Sequence, residues 1–187
     1  MSVKDLVIDL AADTSNPNKN FALGEAYEKL HQHASAAGFF LRAADYGYKS
    51  DPLLTYNALL KMALCWSRQK DRTATVLNTL HHAIAFMPGR PEAYFLLARH
   101  YERNKEYQKA YTFAEVGLQF ALATYHNPLP GAVEYYGSYC LIFEKAVAGW
   151  WIGRKEESKV LFQYLLDEYE MSPEYVYGCM NNMKLFT

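Results

Sequence analysis

RPEAYFLLARHYERNKEYQKAYTFAEVGLQFA, residues Arg90–Ala121, is the stretch whose reading decides the fold. Tyr94, Leu97, Ala98 and Tyr101 recur at helical spacing, and Ala110, Phe113 and Ala114 do so beyond the polar turn Asn104-Lys105-Glu106. Spacings of three and four place such residues on one helix face. A small residue between large ones lets a second helix approach closely, while the aromatics fill the space on either side. The stretch is a helical hairpin with a packed seam.

Outward from it, the same arrangement recurs. Leu23-Gly24 and Tyr27 precede Ala36 and Phe40; Leu59, Met62-Ala63 and Trp66 precede Val76 and Leu80; Val147-Ala148 and Trp151 precede Val160 and Tyr164. The small residues Gly24, Ala63, Ala98 and Ala148 lie 39, 35 and 50 positions apart. The longest gap holds His126-Asn127-Pro128-Leu129-Pro130-Gly131, the clearest linker in the chain. Ser2 caps a short first helix through about Ala12, with Val3, Leu6, Val7 and Leu10 on one face. A helix is expected from about Ala132 to Ile152, and Ser172-Pro173 leads into a last helix to about Leu185. No segment alternates with the period of a strand. The expected architecture is all-α, an α-α superhelix of about four hairpins (about 19–47, 53–87, 91–122 and 132–170) in one domain over 1–187. A short N-terminal helix precedes them, and a C-terminal helix over about 174–185 caps the stack.

The recurring unit, large–x–x–Leu–small–x–x–aromatic and then Ala–x–x–x–aromatic and Pro, resembles the tetratricopeptide repeat (TPR) over about residues 17–173. The third hairpin matches best. Asn20 and Glu144 stand where a large residue is usual, and Ala114 where an aromatic is usual. More narrowly, Arg90–Tyr94, Leu97–Tyr101, Glu106–Tyr111 and Gly117 look like the helical repeat region of some multidomain glycosyltransferases, as does Trp151–Ser158 with Leu165-Leu166, Pro173 and Asn181. That likeness implies an accessory module, because no DxD, Gly-rich phosphate loop or β/α alternation is present.

Charge and composition narrow the function. Nineteen basic and 20 acidic residues give a net charge of −1, with no basic stripe of the kind that holds nucleic acid. The acidic start MSVKDLVIDLAAD lacks the layout of a signal peptide, and no apolar run is long enough to span a bilayer. Cys65, Cys140 and Cys179 are widely spaced and read as reduced core thiols of a cytoplasmic protein. His31 and His33, or the adjacent His81-His82, lack the i, i+4 spacing that lets two imidazoles share an ion. Neither a metal nor a cofactor is expected, and no catalytic residue is assigned.

Stacked repeats present the first helix of each hairpin to a concave face. Helical phase puts Phe21, Glu25, Glu28, Leu60, Leu64, Phe95, Arg99 and Glu102 there. That mixture of apolar and charged groups suits a protein or peptide partner. Alternatively the groove is filled by the chain itself, for instance by Val3–Ala12. The carboxylate clamp of chaperone-binding TPR proteins needs Lys, Asn and Arg at groove positions where Phe21 and Glu25 stand here, which disfavours that mode. Trp151 is expected at the seam, whereas Trp150 is open to a sugar-stacking role. Tyr135, Tyr136 and Tyr139 form a patch that is either seam or binding face. The final helix, with Tyr175, Val176, Met180, Met183 and Phe186, caps the stack or pairs two copies in a homodimer. Three functions stay open: a non-catalytic interaction scaffold, an accessory glycosyltransferase module that positions an acceptor or mediates self-association, and a helical enzyme with an unrecognised site.

Overall fold

The computed structural model describes residues 2–123 and 126–186. Among them are ten α-helices and no strand: α1 (Val3–Ala12), α2 (Pro17–Lys29), α3 (His33–Gly47), α4 (Pro52–Ser67), α5 (Thr73–Phe86), α6 (Glu92–Arg103), α7 (Tyr107–Ala123), α8 (Ser138–Trp151), α9 (Lys155–Glu168) and α10 (Pro173–Met183). A 3-10 turn, Lys184–Phe186, follows. The chain forms two compact units, one of Met1–Pro88 with Asn127–Val133, the other of Gly89–His126 with Glu134–Thr187.

In the first unit the helix starts are written into the sequence. Ser2 and Asp5 form a reciprocal capping box on α1. Asn16 and Asp51 cap α2 and α4, each followed by Pro at the first helical position, where its missing N–H costs nothing. α1 packs on α2, and each later helix packs on its predecessor through α5. The seam of the first hairpin closes at Gly24, where a Cβ would stand 2.8 Å from the Phe40 ring. Phe21 meets the same ring edge-on at 5.3 Å. The second unit repeats the scheme with α6 against α7, α7 against α8 and α8 against α9, and it closes with α10 on α9 and α8. Phe186 seals that end against Trp150 (4.8 Å) and Phe162 (6.4 Å).

Each hairpin turn contains one left-handed residue: His31 (φ 57°), Asp71 (φ 58°), Lys105 (φ 62°) and Gly153 (φ 88°). In three turns the next residue donates its N–H back across the helix end: Gln32 to Tyr27 O (3.0 Å), Glu106 to Tyr101 O (2.9 Å) and Arg154 to Gly149 O (2.8 Å). This is the Schellman closure, which satisfies a carbonyl that the helix leaves orphaned.

The closure also aligns the hairpins and corrects the fourth. Gly149, not Trp151, stands where Tyr27 and Tyr101 stand, so the seam residues of this hairpin are Ala146, Gly149, Ser158 and Phe162. Trp151, Val160 and Tyr164, expected at the seam, are 60%, 66% and 46% exposed. Trp151 lies flat on Tyr107 at 5.0 Å instead. With no side chain on Gly149, α9 comes so close that a Cβ there would meet Ser158 Oγ at 2.7 Å. A second correction concerns the linker: the helix expected from Ala132 begins at Ser138, after Gly137 at φ 137°.

The corrected register is testable by truncation. Phe162→Ala should cost about 3–5 kcal/mol, against less than about 1 kcal/mol for Tyr164→Ala, measured by urea unfolding. The reverse order would restore the register built on Trp151.

Candidate functional site

In the first unit, α2 and α4 lie side by side, and the segment Asn127–Val133 runs across them. Asn57, fully buried on α4, grips one residue of that segment at both backbone groups. Its Nδ2 donates to Gly131 O (3.1 Å), and its Oδ1 accepts from the Gly131 N–H (2.6 Å). Gly131 fits because it lacks a side chain: a Cβ would stand 2.7 Å from Glu25 Oε1 and 3.0 Å from the Phe21 ring. The occupant of this face is therefore the Pro-Gly linker, not Val3–Ala12, which packs on α2 as α1.

Of the five expected groove residues in this unit, Phe21 and Glu25 stand against Gly131. Phe21 and Leu60 are buried, whereas Leu64 and the two carboxylates are partly exposed. Glu28 is bracketed by Lys61 Nζ (2.7 Å) and Arg68 Nη1 (3.1 Å), and Lys61 also reaches Glu25 (3.7 Å). Lys61 is itself buried, so burial strengthens these pairings while making an unpaired partner costly.

In the second unit, Phe95 is fully buried, with Tyr135 at 5.5 Å between ring centroids. Arg99 pairs with Glu134 Oε2 at 2.7 Å, and its guanidinium lies 5.7 Å from the Phe95 ring centre. Glu134 holds a left-handed backbone (φ 63°), strain of about 1–2 kcal/mol for a residue with a Cβ that the ion pair helps to hold. Glu102 stays partly exposed on the same helix. Of the tyrosine patch, Tyr139 is buried against Tyr175 (5.2 Å) and Tyr136 is exposed.

Beside Arg99 opens a cavity of about 420 Å³ lined by Arg99, Glu134, Tyr136, Phe143, Glu144, Glu174 and Tyr175. Glu144 is only 6% exposed. Burial, reinforced by Glu102 and opposed by Arg99 and Arg103, pushes its carboxyl up to about 8 from an ordinary 4.5. Repeat reasoning marks Glu144 only as an acid in an apolar position, and gives no sign of the cavity. Elsewhere the chemistry is quiet. Burial raises the thiols of Cys65 to about 12 and of Cys179 to about 11, which suppresses thiolate nucleophilicity. Among the described residues no three His, Cys, Asp or Glu side chains converge as a metal site. No described helix is long and apolar enough to cross a membrane. Trp150 is half-buried beneath Lys155, 4.6 Å from its ring.

Glu144 carries a stability cost whose sign is fixed. The native chain keeps its proton through pH 7, and the unfolded chain releases it near 4.5. The native state thus binds more protons between these values, and stability falls as pH rises from about 4.5 to about 8. Glu144→Gln should leave the melting temperature nearly unchanged at pH 5 and raise it at pH 8, by on the order of a few kcal/mol in stability. An equal shift at both pH values would show that the carboxyl titrates normally.

No family model and no curated protein matches the sequence. Solved structures do resemble it. One is MamA, with TM-score 0.66, 15% identity and coverage of 97% of this chain and 89% of that one. Another is YrrB, described as a TPR protein with an unusual peptide-binding site, with TM-score 0.65, 12% identity and coverage of 97% and 81%. A third is a thermophilic TPR protein of Thermus thermophilus, with TM-score 0.64, 14% identity and coverage of 97% and 89%. None of these three supports the glycosyltransferase resemblance. They agree in architecture with the all-α hairpins described above, and the fold of this chain is the tetratricopeptide-repeat fold.

Proposed function

We propose that this chain is a non-catalytic interaction scaffold whose hairpin faces bind a protein or peptide partner in extended form. In the first unit the face is the one carrying Phe21, Glu25, Glu28, Leu60 and Leu64. In the second it is the one carrying Phe95, Arg99 and Glu102. The observation that carries the proposal is the Asn57 clamp. A buried amide that satisfies the N–H and C=O of one residue reads backbone, without regard to the side chain beyond the space it needs. Extended peptides are recognised in this way, by main-chain hydrogen bonds plus pockets for side chains. The same clamp holds the linker of this chain at Gly131, so the linker is a built-in occupant that a partner replaces. YrrB, which shares the fold, is described as having a peptide-binding site; its description supports this use of the fold without locating the site.

A tethered occupant competes at an effective concentration on the order of millimolar, so binding in trans should emerge once the tether is displaced. Gly131→Val supplies that displacement, since its methyl groups would collide with Phe21 and Glu25. A fluorescent peptide of residues 127–133, NPLPGAV, should bind the Gly131→Val protein measurably by anisotropy and the unaltered protein at least tenfold more weakly. Adding Asn57→Leu to the Gly131→Val protein should abolish the binding. If the peptide ignores the Gly131→Val protein, the face is a structural seam and the proposal fails.

A further inference from the structure

We propose that the cavity on the second unit binds an organic cation of the size of an arginine or lysine side chain, with Glu144 as its counter-charge. The site stands apart from the Asn57 clamp and does not depend on it.

Three observations converge. The first is the carboxylate itself. Glu144 faces the cavity, is more than nine-tenths buried, and has no hydrogen bond or ion pair among the described residues. An unpaired buried carboxylate is costly; Glu144 avoids that cost by keeping its proton, and a cation in the cavity would take the proton's place. The second is the charge balance. Among the described residues Arg99 is the one basic side chain on the wall, and its guanidinium is taken by Glu134. Glu174, joined by Glu144 once its proton leaves, therefore makes the cavity negative. The third is the wall. Phe143 and Tyr175 meet edge to face at 5.0 Å, and Tyr136 stands exposed near the opening. Aromatic faces attract a cation that sheds part of its water, which guanidinium and alkylammonium groups do. A hard divalent ion would need about six or more oxygens around it, and among the described residues the wall carboxylates do not converge as a metal site. The volume of about 420 Å³ is ample for a side chain and lies toward the lower end of the range of small-molecule pockets.

Binding is coupled to a proton. The groups around Glu144 are Arg99, Glu102 and Arg103 on α6, Glu134 on the incoming segment, Glu174 and Tyr175 on α10, and Cys140 on its own helix. With no ligand the Glu144 carboxyl holds its proton to about pH 8. A bound cation stabilises the carboxylate and expels that proton, so affinity rises with pH up to about 8.

Calorimetry with agmatine, putrescine and Nα-acetyl-argininamide tests this. Binding of at least one probe should be seen at millimolar concentration or below at pH 8, weakening by up to about tenfold per pH unit below about pH 7. Heats measured at pH 7 in phosphate and in Tris should differ by close to one released proton. Glu144→Gln, checked for folding by circular dichroism, should lose binding and proton release together. Tight binding of Nα-acetyl-argininamide identifies the ligand as a side chain of a partner; binding of the two amines alone identifies it as a free diamine. No binding by any probe at about 10 mM, or binding unchanged in Glu144→Gln, overturns the proposal.

Discussion

Close approach of two helices at a small residue is the constraint on which the hairpins depend. Where Gly24 faces Phe40, or Gly149 faces Ser158 Oγ, a methyl group would already be too large. That approach is possible only if the turn is tight, and the turn is tight because one residue in it accepts a left-handed backbone. His31, Asp71 and Lys105 carry a steric penalty that Gly153 avoids. The energy is recovered in the seams, where Phe40, Leu97 and Phe162 are almost fully buried.

Backbones drawn together in this way leave polar surface between the first helices of the hairpins. Two groups manage it differently. Asn57 is satisfied by the backbone of Gly131, and so fixes where the linker runs. Glu144 lacks such a partner among the described residues and faces a cavity instead. A repeat fold tolerates both because its stability is distributed over many near-neighbour seams. A local polar cost is then absorbed without loss of the fold, and is available for recognition.

Local spacing makes the first three hairpins readable: glycine or alanine between apolar residues, then a second helix with apolar or alanine residues four apart. The fourth shifts by two residues because Trp151 imitates the aromatic of the other hairpins, while the residue in that place is Gly149. The extended course of residues 132–137 is hidden because Val133 with Tyr135 and Tyr136 continues an apolar pattern compatible with a helix. What holds that region is a contact spanning 74 residues, from Asn57 to Gly131, and no local periodicity encodes it. Helical phase locates the expected groove residues Phe21, Leu60 and Phe95 on their helices, but not what covers them. Glu144 is visible only as an acid in an apolar position.

The linker as a native occupant of the α2 and α4 face is the central claim, and the amide of Gly131 reports on it directly. Native-state hydrogen exchange followed by NMR should find this N–H protected to within about tenfold of the core amides of α4, because opening it requires breaking the clamp. Exchange of the Gly131 amide at the rate of an unstructured peptide, with α4 still protected, would contradict the account.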